Sequence, residues 1–382
     1  MRKRPRPGEN SSPLAARTPP RDEKLPAGNL PRVNHMPPTP SRRTVADTGE
    51  FEVIRALQAT IGDSNLVSPY GIGDDAAVLP QKAGYECVIS KDLFIEGIHF
   101  DRRFSTFSDI GYKATAVNVS DMAAMGAAPL YLLAGLAVPS SCQLAQIRAI
   151  YRGIRQLCKR YDMKIVGGDT CASRRDIVIS LTILGSVKTH HALSRGGAKR
   201  GDLIFVTGTL GDSGAGLRLL QRQTKGSTGH VPQSVVRFLK RRHLQPSPKI
   251  HLGQLLAQHR LATAAIDLSD GLSGDISHLC RASHVGALID LAQLPVSRQC
   301  SAFLAAHRNL SKDLILHWGE DYELLFTVPS RKRSQLESLA SDIRQSITCI
   351  GSIRHQKHGI SLRREDGSSQ PLTQQSYTHF HS

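Results

Sequence analysis

A chain of 382 residues, 40% hydrophobic and with 32 glycines, can bury more than one core and is too varied to be fibrous or wholly disordered. Its formal charge of +17 favours anionic partners such as phosphates. Its seven cysteines are scattered and never form a C-x-x-C pair, which excludes a disulfide framework or a zinc ribbon and fits a reducing compartment.

Residues 1–46 are rich in Pro, Arg and Ser and show no apolar period. Such a segment cannot bury enough surface to offset its ordering entropy, so a disordered basic tail is expected there. It has no apolar stretch of the signal-peptide kind. Order is expected from Gly49-Glu50-Phe51 onward, with Phe51, Ile54, Leu57 and Ile61 at helical spacing. Glu86–Lys91 predicts a strand. Ser108-Asp109 opens a helix carrying Ile110, Ala114, Val117, Asp121 and Met125, and Gly126 followed by Pro129 ends it. Leu130–Val138 predicts a buried strand and Gln143–Tyr161 an amphipathic helix, with strands at Lys164–Val166 and Ile177–Val187. The uncharged run Met122–Pro139 is long enough to raise the question of a membrane span. Gly126, Pro129 and Gly135 divide it into a helix end, a turn and a strand. A soluble, cytoplasmic chain is therefore expected.

A seam rich in glycine and basic residues follows at His190–Lys199. It predicts a boundary between domains at 47–189 and 190–382. The second half reads as a strand (Asp202–Thr207), a Gly-rich loop, helices at Ala215–Arg222, Pro232–Arg241 and Ile250–Gln258, and a strand at Ala264–Leu268. A further helix and strands at Ala287–Leu291 and Tyr322–Val328 complete it. The class is α/β in a mixed, α+β arrangement. The basic run Lys240-Arg241-Arg242 reads as solvated surface. Nucleic-acid binding would need aromatic and basic residues interleaved, and that pattern is absent.

Six segments place carboxylates beside glycines or at predicted strand ends: Gly73-Asp74-Asp75, Ser90-Lys91-Asp92, Asn118-Val119-Ser120-Asp121, Gly167-Gly168-Asp169, Asp267-Leu268-Ser269-Asp270-Gly271 and Gly319-Glu320-Asp321. Any one of them could be a turn. As a set they are harder to dismiss, since strand ends beside Gly turns are where α/β proteins bind ligands. Asp121 shares a face with Asn118 on an Ala/Met/Val-rich helix, where an uncompensated carboxylate is costly. Hard oxygen donors without His or Cys partners point to magnesium, and several such carboxylates point to a polyphosphate such as ATP. No calcium D-x-D-x-D-G loop, no G-x-x-x-x-G-K-[ST] loop and no protein-kinase motif is present. The segment Gly208–Gly216 fits either a phosphate cradle at a helix N-terminus or close packing of strand on helix.

In this order the segments strongly resemble thiamine-monophosphate kinases, in the superfamily of aminoimidazole ribonucleotide synthetase and selenophosphate synthetase. The resemblance runs from residue 49 to Tyr377-Thr378-His379-Phe380. It implies a two-domain fold, with an N-terminal mixed-sheet domain that forms a homodimer and a C-terminal α/β sandwich. It also implies transfer of phosphate from ATP to thiamine monophosphate. Asp75, Ser90, Asp92, Asp121, Asp169, Asp267 and Asp270 would surround several magnesium ions. Gly168, Asp169, Arg195 and Ser269 would contact ATP, and His99, Glu320 and Tyr377 the thiamine substrate. Lys91 stands at a position where the family commonly has a threonine metal ligand, so either its backbone carbonyl or its ammonium would serve there.

Overall fold

A computed structural model of the chain describes residues 56–57, 59–60, 82–223, 231–307, 310 and 314–372. The expected tail, most of the expected first helix, Asp75 and Tyr377 lie outside the described residues. Leu57 falls within them and is helical and buried.

Two sheets organise the chain. The first is four-stranded, in the order β1-β4-β2-β3, with β1 Tyr85–Ile95, β2 Ala128–Pro139, β3 Lys164–Ser173 and β4 Val178–Lys188. Strand β4 pairs antiparallel with β1 and β2, and β2 pairs parallel with β3. Along β4, Ile179, Leu181, Ile183 and Val187 are buried while Ser180, Thr182, Leu184 and Ser186 are half-buried, so among the described residues only one face of this sheet is fully covered. Helix α1 (Phe107–Ala124) crosses the covered face, and α2 (Leu144–Arg160) packs on α1. Thr106 caps α1 by accepting the Asp109 N–H at 3.1 Å. α1 is buried on most of its circumference, which suits its run of Ala, Gly and Ser residues.

The second sheet has seven strands in the order β11-β10-β7-β9-β5-β8-β6. Its members are β5 Leu203–Thr207, β6 Ala264–Asp267, β7 Val285–Asp290, β8 Leu324–Val328, β9 Ile347–His355, β10 Ile360–Arg363 and β11 Ser369–Pro371. Its helices are α3 Asp212–Gln223, α4 Gln233–Leu244, α5 Ile250–Gln258, α6 Leu272–Ser283, α7 Arg298–Ala306, α8 Leu314–His317 and α9 Arg333–Asp342. Central strands are buried on both faces. Phe205 and Phe326 feed the core shared with the first sheet, while Ile204, Val206 and Leu325 feed a second core with α3, α4 and α6. That explains the unbroken apolar runs in β5 and β8.

Two expectations are corrected. β1 continues through Asp92, and β3 continues through Asp169, so neither carboxylate follows its strand. Pairing carries both strands past their polar residues: Asp92 sits opposite Leu181, and Asp169 opposite Gly135. Among the described residues, no helix is long and apolar enough to cross a membrane.

Candidate active site

The site forms where α1 passes between β1 of the first sheet and β6 of the second. Ser90 and Asp92 alternate onto the covered face of β1 and meet Asp121 on α1. The Ser90 hydroxyl donates to Asp121 Oδ2. One residue before Asp121, the buried Ser120 donates to Asp267 Oδ2 at 2.8 Å and ties α1 to the end of β6. One turn earlier, Asn118 donates its amide to the Ala114 carbonyl at 3.2 Å, which fixes the orientation of its oxygen.

Three carboxyl groups therefore converge in a dry place. Burial first, then the charge of Asp121, pushes Asp92 from 3.8 to about 7. Burial also raises Asp121, while the Ser90 hydroxyl and the nearby Arg195 cation pull the other way. Asp267 is pushed up to about 7 by burial and then by Asp121. Asp275, in the first turn of α6, is raised too, by burial and then by Asp267 and Asp270; it accepts the Asp270 N–H at 3.2 Å.

Among the described residues, two buried oxygens in this cradle, Asp92 Oδ2 and Asn118 Oδ1, have no hydrogen-bond partner. Buried acceptors are almost always satisfied, so these two mark a place where something positive belongs. Among the described residues, no three His, Cys, Asp or Glu side chains form a ready metal cage. A sparse, all-oxygen donor set nevertheless fits magnesium, which keeps several waters and takes its remaining ligands from substrate phosphates.

The raised carboxylates have a sign that can be checked. Asp92 and Asp267 ionise near 3.8 when unfolded and near 7 when folded, so the stability they contribute is full below pH 4 and lost as pH rises through 7. Magnesium-free protein should melt at least about 3 °C lower at pH 8 than at pH 5, and added magnesium should restore more at pH 8. The pH difference should shrink in the Asp92→Asn/Asp267→Asn variant. An unchanged difference there, read by calorimetry, would assign it to other groups.

Other expected residues lie elsewhere. Lys91 alternates to the opposite face from Asp92 and donates to Ser180 Oγ at 2.6 Å. Its ammonium is therefore separated from the cradle by the sheet. Asp169 is exposed on β3 and shares a row with Gly135, Ser180 and Leu93, also on that opposite face. Among the described residues, β1 and β3 are the two edges of the sheet, separated by about 14 Å for three strand spacings. Gly168 travels with Asp169 on that edge.

A second cluster holds His99 and Glu320. His99 accepts the Ile95 N–H on Nδ1 at 3.1 Å and packs on Phe94. It lines a narrow cleft with Phe94, Phe100, Asp109, Lys113 and His243. Glu320 forms an ion pair with Lys113 at 2.8 Å beside this cleft. Two backbone bonds hold the Glu320 segment against the loop after β6: Glu320 N donates to Ser269 O at 2.8 Å and Tyr322 N to Leu268 O at 2.9 Å. A Cβ at residue 319 would lie 2.2 Å from Ser269 O, so only glycine allows this approach. Ser269 and Asp270 thus lie between the carboxylate cradle and the His99 cleft.

The Gly208–Gly216 loop resolves toward packing. Gly211 N and Ser213 N donate to Asp321 at 2.6 and 3.0 Å, so a carboxylate of the chain itself occupies the α3 N-terminus. A Cβ at Gly214 would strike Trp318 at 2.4 Å, which adds to the same conclusion. Asp321 is thus a support, pushed up to about 7 by burial. The Lys240–Arg242 run is also not wholly surface. Arg242 is 16% exposed and pairs with Glu323 at 2.7 Å and Asp212 at 3.5 Å. Lys113 and His243 were not anticipated. Lys113 carried a signal, as a lone cation in an otherwise small and apolar stretch, whereas His243 was hidden by its basic neighbours.

Two family models match: AIR synthase related protein, N-terminal domain, over residues 73–187, and AIR synthase related protein, C-terminal domain, over residues 199–361. The thiamine-monophosphate kinase of Escherichia coli (strain K12) is 40% identical over 336 residues, covering 87% of this chain and 98% of the relative. That of Bacillus subtilis (strain 168) is 36% identical over 332 residues, covering 87% and 99%. Among solved structures, AaThiL complexed with AMPPCP and TMP is 29% identical, with a TM-score of 0.69 over 90% of this chain and 100% of that one.

Proposed function

The chain belongs to the thiamine-monophosphate kinase family and is an enzyme of that class, and we propose that it transfers the terminal phosphoryl group of ATP directly to thiamine monophosphate. The observation that carries this reading is the cradle of Asp92, Asp121 and Asp267, with its two unpartnered oxygens, set next to the His99–Glu320 cleft.

The cradle is the phosphate end. An acceptor phosphate oxygen forms a bond to the γ-phosphorus as the bond from that phosphorus to the β–γ bridging oxygen breaks. ADP leaves with the electron pair. No covalent enzyme intermediate is needed, because positioning and charge neutralisation suffice for this chemistry. When bound, magnesium, several ions of it, would supply charge neutralisation at the phosphates. Asp92, Asp121, Asp267 and Asp270 would hold it, together with Asp75. Ser90 orients Asp121 through its hydroxyl, and Arg195 and Ser269 reach the nucleotide. His99, Glu320 and Tyr377 take the thiamine ring. The seven unpaired thiols support a cytoplasmic setting.

The chain works as a homodimer of two-domain subunits (47–189 and 190–382) in this reading. The support is the uncovered face of the first sheet, where Ile89 is 64% and Leu93 51% exposed. Two such faces packed together would set the β3 edge of one copy beside the β1 edge of the other. Asp169 of the partner subunit would then reach round the β1 edge toward the phosphates at the cradle. Incubation of the enzyme with ATP, magnesium and thiamine monophosphate should yield thiamine diphosphate and ADP in equal amounts. No product above an enzyme-free control would overturn the reading.

A further inference from the structure

We propose that Lys113 and His243 are positioning residues that present Glu320 as a fixed anion beside the His99 cleft, so that this end of the site selects a positively charged aromatic ring. The inference rests on the proposed function only in the choice of thiamine monophosphate as the probe substrate.

The geometry is a sealed relay. Lys113 lies on α1 and is 3% exposed; His243 lies on α4 and is 4% exposed. The Lys113 ammonium donates to Glu320 Oε1 at 2.8 Å and faces His243 Nε2 at 3.2 Å. An ammonium has no lone pair, so Nε2 must accept. The proton of the neutral ring then sits on Nδ1, which lies 3.0 Å from Ser213 Oγ and 3.4 Å from Glu320 Oε2. Burial, then the Lys113 charge, drives His243 down to about 3, consistent with the neutral ring. Glu320 Oε1 is therefore held from behind by Lys113, with the His243 ring beside Oε2. Burial alone would raise Glu320, but the Lys113 cation outweighs it and keeps the carboxyl ionised.

Exposure decides which charge a ligand meets. The Glu320 side chain is 29% exposed, against 4% for Lys113 and 5% for His243. The ammonium and the neutral ring behind it are hidden, and the anion faces outward. Glu320 also sits at φ +63° and Tyr322 at φ +50°, left-handed conformations that side chains other than glycine adopt at a cost. Strain of this kind persists where the surroundings over-determine a placement. His99 packs on the buried Phe94, which stacks on Phe100, so this end of the site is built from aromatic rings, and thiamine carries a permanently positive thiazolium ring. Aromatic walls with one oriented carboxylate fit that chemistry.

Steady-state kinetics of full-length Lys113→Met, Lys113→Arg and Glu320→Gln enzymes test the proposal. Lys113→Met and Glu320→Gln should each raise KM for thiamine monophosphate about 30-fold, with KM for ATP within about twofold of wild type. Lys113→Arg should recover most of the loss. The Lys113→Met/Glu320→Gln double variant should be no worse than either single one, because the lysine acts through the glutamate. A thiamine-monophosphate KM unchanged in Glu320→Gln overturns the proposal, even if Lys113→Met fails to fold. A rise in both KM values together with a lower Tm also overturns it, since that pattern describes a structural lysine. A second arm uses calorimetric binding of an N-methylthiazolium cation and of the matching uncharged thiazole. Wild type should prefer the cation at least about tenfold, and Glu320→Gln should lose that preference. This arm needs no turnover, so it separates failure of the anion from failure of the assigned reaction.

Discussion

Asp121→Asn will fold and lose at least about 10³-fold in kcat, with little change in KM for thiamine monophosphate. Asp121 is the hinge of the cradle. It accepts from Ser90, faces Asp92 and raises Asp267, so three elements meet through its carboxylate. Asparagine keeps the shape and can still accept the Ser90 hydrogen bond, yet it removes the charge that a divalent cation needs. The stability effect runs the other way. Removing one of several buried like charges lowers the pull of Asp92 and Asp267 toward protonation, so metal-free protein should melt no lower than wild type at pH 8. Melting curves with a chelator and initial rates with magnesium check both halves. Near-normal turnover would make Asp121 a structural residue.

Mixing Asp92→Asn with Asp169→Asn, each inactive alone, will recover about a quarter of wild-type activity. The two carboxylates lie on opposite edges and opposite faces of a four-stranded sheet, so one copy cannot join them. If each site takes Asp92 from one copy and Asp169 from the partner subunit, a mixed dimer holds one intact site and one doubly altered site. Random exchange makes half of the dimers mixed, hence the quarter. Native mass spectrometry reports how many mixed dimers form. Their presence without any activity would show that Asp169 is not shared between copies.

The apolar parts of the fold were legible because they repeat at the period of their element. Ile250–Gln258 is recovered residue for residue, and Ala264–Asp267 within one residue. Elements with thin apolar stripes were missed. α9 buries only Leu336 and Ala340, and β9 buries few of its side chains. Strand ends were misjudged at Asp92 and Asp169 because pairing with a neighbour, not local apolarity, carries a strand onward. The converging carboxylates could be picked out by their apolar settings, most clearly Asp121 and Asp267. Lys113, His243 and Arg242 could not be assigned, because their partners Glu320, Glu323 and Asp212 lie far away in sequence and sequence spacing does not reveal such pairs. Lys91 stands next to two cradle residues in sequence and on the other side of the sheet in space, a consequence of the two-residue period of a strand.

The backbone staple at Gly319–Tyr322 makes the site a ruler. Glu320 and Tyr322 are bonded to Ser269 and Leu268, in the loop that leaves Asp267 and Asp270. The span between Glu320 and the carboxylates of the cradle is thereby set by main-chain bonds rather than by movable side chains. A ligand that shares both ends of thiamine monophosphate but is one methylene longer between them can satisfy either end, not both.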